Sequence, residues 1–247
     1  MNTIQLELTT LDIINLAIMA VLLVEAIFFV RVMLRKYRES KNIVNLYFCV
    51  LIIDLIGAGI CIFLEQISFD ILLNDPLGRI FGTVLLVPTT IAGIVVNSIA
   101  FELTYPKRKK LLIIPIIILI LIVDFLMAYA ILTGVAVEVG GVIADYGMYT
   151  WMILVAEIPV FFAPLGTFFY FSYVTRKTSP PKSKRSFWLG FALLLFAVPY
   201  VSELIYRPPE IAVPLRGLYV ISATLLFICF AMPEWFKRYL GWKEFPE

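Results

Sequence analysis

Seven carboxylates stand inside or at the edge of apolar sequence. Glu25, Asp54, Glu102, Asp124 and Glu157 each fall within a long hydrophobic stretch, and Glu65 and Glu203 fall at the ends of two others. A charged side chain at the centre of a bilayer costs roughly 2.5–3.5 kcal/mol on insertion scales, so such residues face a bundle interior and have a partner or a task there. With a helical rise of about 1.5 Å per residue they separate by depth. Glu25, Asp54 and Glu102 belong to the middle and inner half, with Asn97 a turn and a half before Glu102. Asp124, Glu157, Glu203 and Glu65 belong to the outer half, where Arg207, Arg216 and Arg79 are the nearest cations.

Two chemistries suit that pattern. The outer group can line a solvent-facing ligand pocket closed by carboxylate–arginine pairs. The inner group of Glu25, Asp54, Asn97 and Glu102 can form a proton or ion path, since desolvated carboxylates hold protons more tightly. The structural alternative is that each acid ties helices together, contributing about 1 kcal/mol per interhelical hydrogen bond. Prolines add a second signal, because each removes a backbone hydrogen bond and bends its helix. Pro88, Pro115, Pro159, Pro164 and Pro199 lie inside the stretches. Glu157, Pro159, Pro164 and Gly166 share one window of ten residues, which marks an interrupted helix beside a polar cavity. Pro199, Ser202 and Glu203 repeat the theme.

Other chemistries lack their residues. There is no histidine, so the commonest general base, haem ligand and zinc ligand are missing together. Cys49, Cys61 and Cys229 all fall inside apolar stretches, and their odd number with no short spacing argues against a disulfide framework or a zinc site, so they read as small apolar residues. No lysine falls inside an apolar stretch, which removes a retinal Schiff base. Neither a phosphate-cradling loop nor a nucleophile elbow nor a metalloprotease motif occurs. The expectation is therefore no enzyme, no metal, no cofactor and no nucleic-acid partner.

Positioning the carboxylates falls to seven apolar stretches, at about 11–33, 43–66, 77–104, 111–132, 149–174, 187–206 and 212–236. A hydrocarbon core of about 30 Å needs about 20 helical residues. The chain of 247 residues is 62% hydrophobic and 15% charged, with a mean hydropathy of +0.97, far from a soluble domain. Continuous rather than alternating apolarity predicts helices, not barrel strands. The expected fold is all-α: a single domain over residues 1–247, an integral membrane bundle of seven transmembrane helices. Its loops, tail and adjoining span ends hold 17 of the 20 lysines and arginines on one side, leaving only Arg79, Arg207 and Arg216 opposite. The positive-inside rule then puts the N-terminus outside and the C-terminus in the cytoplasm of a multi-pass plasma-membrane protein. The opening MNTIQLELTTLD lacks a basic n-region and a cleavage signature, so the first helix is expected to be retained. Trp151, Trp188, Trp235 and Trp242 lie near span ends, where amphipathic rings anchor at headgroups.

Three segments carry a family resemblance. The third stretch ends in SIAFELTYPKRKKLL, the sixth reads KSKRSFWLGFALLLFAVPYVSELIY, and the seventh reads PLRGLYVISATLLFICFAMPEWF. Together they resemble the N-terminal seven-helix sensor region of prokaryotic histidine kinases and related signalling proteins. The resemblance implies a sensing role and no particular chemistry. Members usually continue into an output domain, whereas this sequence stops at Glu247, so the resemblance implies a signal leaving through a separate partner on the basic cytoplasmic face. The leading expectation is a receptor-like sensor binding a small or lipid-like ligand at Glu157, Glu203, Arg207 and Arg216, with Asp124 and Glu65 beside them. A proton- or solute-coupled transporter and an accessory subunit with an intramembrane protein partner are the alternatives. Membrane lipids are partners in every case.

Overall fold

In lipid every backbone polar group has to be satisfied within its own segment or by a neighbouring helix, so unbroken apolar runs become helices. The computed structural model describes residues 10–139, 142–205 and 209–242. Its helices are α1 (Thr10–Ser40), α2 (Ile43–Gln66), α3 (Asp75–Thr104), α4 (Lys109–Leu132), α5 (Thr150–Thr175), α6 (Pro180–Ile205), α7 (Pro209–Ala231) and α8 (Glu234–Leu240). Among the described residues, six helices are long and apolar enough to cross a membrane, lying in the segments that carry α2 to α7. The chain is a helical membrane protein. Local signals set the starts: the Asn42 side chain accepts from the Val44 N–H at the head of α2, and Asn74 does the same for Leu77 at the head of α3.

Three features differ from expectation. First, α1 continues through Arg35, Lys36 and Arg38 to Ser40, and α6 begins at Pro180 rather than near Phe187. Hydropathy marks the lipid-crossing part of a helix, while lysine and arginine are good helix formers and carry it further. Second, the last apolar stretch is broken. α7 stops at Ala231, Met232 takes a left-handed φ of 50°, Pro233 follows, and α8 turns back to bury Phe236 and Leu240 against the bundle. Third, the glycine-marked loop after α4 contains an antiparallel hairpin of β1 (Val137–Val139) and β2 (Val142–Asp145), in which Glu138 pairs with Ile143.

Helices α1 to α7 pack in chain order, α1 closes against α7, and α3 also reaches α5. Residue pairs fix the directions. Thr90 meets Asp124 and Arg79 meets Ile131, so α3 and α4 are antiparallel. Ser172 meets Ser183 and Glu157 meets Tyr200, so α5 and α6 are too. Glu25 meets Thr224 and Phe29 stacks on Phe227 at 4.0 Å, so α1 and α7 run in the same direction. One end of the bundle carries the hairpin. The opposite end carries the cation-rich links and α8. The larger core cluster, including Met33, Phe48, Ile99 and Cys229, extends to Leu240 of α8, and a second one, including Val123, Ile131 and Ile153, lies under the hairpin. Val24, Phe125 and Val155 face outward, as a lipid-facing surface requires.

Candidate functional site

The hairpin end gathers most of the outer-half residues. Glu65, in the last turn of α2, is 1% exposed, and its Oε1 accepts the N–H of Ile143 at 2.8 Å. Gly82 of α3 makes the room. A Cβ there would lie 2.9 Å from Glu65 Oε1 and 3.0 Å from Ile143 Cδ1. Strand β2 is thereby held against α2 and α3, and it also touches α6. Tyr146, just past β2, is buried beneath it. Burial first, then the negative charge of Glu65 and Glu157, pushes the Tyr146 phenol upward, so it stays a neutral donor. Glu157 of α5 is buried, and its Oε1 accepts from the Tyr200 hydroxyl at 2.5 Å. Glu157 Oε2 is equally buried and has no hydrogen-bond partner among the described residues. Asp124 accepts from Thr90 and lies close enough to Glu157 to interact with it electrostatically.

Two of the three expected arginines, Arg79 and Arg216, lie among the described residues. Arg79 pairs with Asp75 at 2.8 Å and donates to the carbonyls of Ile131 and Ala136, where α4 ends. It serves a helix C-terminus, whose carbonyls need donors and favour a cation, rather than the carboxylates. Arg216 acts electrostatically on Glu65. Glu203 lies in α6, but its side chain and the whole of Arg207 are outside the described residues.

The other expected residues do not form one chain of contacts. Glu25 Oε1 accepts from Thr224 at 2.8 Å, while Glu25 Oε2 and Asp54 Oδ2 are buried without partners among the described residues. Glu102 pairs with Lys109 at 2.9 Å, and that ammonium also donates to Tyr47. Asn97 is fully buried. Its Nδ2 donates to the carbonyls of Gly93 and Val160, at 2.9 and 3.0 Å. Val160 stands four residues before Pro164, whose missing N–H leaves that carbonyl without its helical donor. Asn97 fills the gap from α3, and α5 runs through both prolines as one helix instead of breaking.

The same device recurs at the cation-rich end. Arg185 Nε donates at 2.9 Å to the carbonyl of Cys229, four residues before Pro233, and Lys36 donates to the carbonyl of Ala231. Burial, with Lys237 and Arg185 nearby, holds the Lys36 ammonium below the usual lysine range. Sequence reading did not single out Thr90, Tyr146, Tyr200, Thr224, Lys36 or Arg185 as partners. For Asn97 and Arg185 a signal existed: a proline four residues beyond the carbonyl each one serves.

Among the described residues no cluster of acids and cysteines is placed to hold a metal, and the three cysteines are free. No protein-family model, no curated protein and no solved structure matches the chain. The chemistry of the site therefore rests on its own geometry.

Proposed function

We propose that the chain is a receptor-like sensor of the plasma membrane, crossing it seven times with its N-terminus outside. It binds a small or lipid-like ligand beneath the hairpin and passes the signal to a cytoplasmic partner at the cation-rich end. One observation carries the reading: Glu157 has one oxygen fixed by Tyr200 and the other buried with no partner among the described residues. A buried acceptor left unmatched costs about 1–3 kcal/mol, more if charged, and a ligand donor relieves that cost. Asp124 and Tyr146 lie within electrostatic reach of Glu157, and an unmatched acceptor calls for a donor, so the ligand class is one bearing an amine or hydroxyl donor. The seventh crossing is supported by α1, 31 residues long and parallel to α7, which requires an even number of reversals between them. The orientation is supported by the cation distribution, and the sensing role by the family resemblance.

Purified full-length protein in nanodiscs should be stabilised against heat by small amines or amino alcohols such as spermidine and ethanolamine. Glu157→Gln should weaken the effect about tenfold, while Glu102→Gln should leave it intact. An identical response of wild type and Glu157→Gln contradicts the reading.

A proton- or solute-coupled transporter is the second reading. It is favoured by buried oxygens on four helices that have no partner among the described residues, those of Glu25, Asp54, Asn97 and Glu157. Proteoliposomes that acidify under an imposed potential, and lose that flux in Asp54→Asn, would support it; the sensor reading expects no flux.

A further inference from the structure

At the cation-rich end a recess of about 250 Å³ opens between α5, α6 and α8, lined by Ser172, Ser183, Lys184, Phe187, Trp188 and Tyr239. It is smaller than the clefts of about 300–1,000 Å³ that enclose drug-sized molecules, and of a size for a headgroup. Its depth is set by sequence. Phe187 begins the sixth apolar stretch, Ser183 and Lys184 lie one turn before it, and Ser172 is in the last turn of α5, so the recess straddles the border between hydrocarbon and headgroups. The wall facing lipid is aromatic, with Phe187 and Tyr239 both largely exposed. The polar wall holds a cation and two hydroxyls.

The groups are arranged to receive an anion. Lys184 forms no ion pair among the described residues, and its ammonium sits 5.8 Å from the centre of the Tyr239 ring. The acid on α8, Glu234, is already paired with Lys237 at 2.8 Å. Ser183 donates to the carbonyl of Ser172 at 2.7 Å, which leaves the Ser172 proton shared weakly with Ser183 Oγ at 3.2 Å and free to turn to a ligand oxygen. Residues 158–202, which supply the α5 and α6 walls, contain five lysines and arginines and no aspartate or glutamate, so those two walls carry only positive charge. Basic pockets between helices on the cytoplasmic side are suited to anionic lipid headgroups.

We propose that this recess is a binding site for the phosphate of an anionic glycerophospholipid of the adjoining leaflet, with Lys184 as its counter-ion, Ser172 as donor, and Trp188 and Tyr239 against the glycerol and upper acyl chain. It depends on no part of the sensor reading.

Trp188 supplies the probe. Full-length protein with Trp151, Trp235 and Trp242 changed to Phe is reconstituted with brominated phosphatidylglycerol or brominated phosphatidylcholine, and quenching of Trp188 is compared. Preference for the anionic lipid should be about fivefold, matching ~1 kcal/mol for one cation near a membrane surface. Lys184→Ala should abolish that preference and Lys182→Ala should keep it. Equal quenching by the two lipids, or equal losses in the two variants, overturns the site in favour of diffuse surface charge. Displacement by inorganic phosphate at constant ionic strength overturns the lipid as its occupant. Should the tryptophan variants fail to fold, native mass spectrometry of otherwise unaltered protein decides: anionic lipid retained in wild type and lost in Lys184→Ala supports the site, and equal retention overturns it.

Discussion

A backbone carbonyl freed by proline has to find another donor in lipid, and in this protein polar side chains supply it. Asn97 serves the Val160 carbonyl before Pro164, and Arg185 serves that of Cys229 before Pro233. Asn97→Ala should therefore destabilise the protein by about 1–3 kcal/mol. Pro164→Ala restores an N–H at residue 164, so the double variant should be less unstable than the two separate losses combined. Unfolding in detergent across all four proteins measures that coupling; strict additivity contradicts the proposed link. Arg185→Ala should cost about 1.5–3 kcal/mol in the same assay, the range for hydrogen bonds to a charged group. Sequence could identify the buried polar residues because hydrocarbon makes them conspicuous. It could not say which oxygen each would meet, since that depends on the rotation of each helix, which long uniform apolar stretches leave unmarked. Asn97, grouped by depth with Glu102, instead bonds to α5, while Glu102 pairs with Lys109.

Helices of this protein were legible at the element scale and the hairpin was not. Apolar runs of about 20 residues have few alternatives to helix in a membrane. VEV and VIAD are too short to show an alternating period, and a glycine-containing loop is all that their surroundings announce. The break at Met232–Pro233 was hidden because Phe236 and its neighbours are apolar enough to extend the stretch. Glu65 fixes the hairpin through one backbone N–H, so Glu65→Ala should raise amide exchange across Val142–Asp145 by about tenfold. Glu65→Gln, which keeps an acceptor oxygen, should change it little. Gly82→Ala should also loosen the hairpin, because its methyl group would occupy the space of the Glu65 carboxyl and Ile143. Unchanged exchange in Glu65→Ala would show that the hairpin is held by its apolar contacts alone.

The whole bundle divides its polar groups by end. The hairpin end holds Glu65, Glu157 and Tyr146 in a buried cluster, while the other end presents cations and the recess beside α8. If the cation bias sets orientation, single cysteines replacing Leu73 or Val137, in protein with Cys49, Cys61 and Cys229 changed to Ala, should react with an impermeant maleimide on intact cells. Cysteines replacing Ser40 or Thr178 should react only after permeabilisation. The reverse pattern contradicts the orientation, and outside labelling at one of the second pair contradicts the seven crossings.

A ligand site at the buried Glu157 oxygen is tested most directly by an experimental density map of the full chain extracted into nanodiscs straight from its native membrane. The expected result is non-protein density between α4 and α7, beneath the hairpin and within hydrogen-bonding distance of Glu157 Oε2. A bundle sealed there by its own side chains, with Oε2 bonded to a protein donor and no further density, contradicts the sensor reading and leaves the carboxylates as ties between helices.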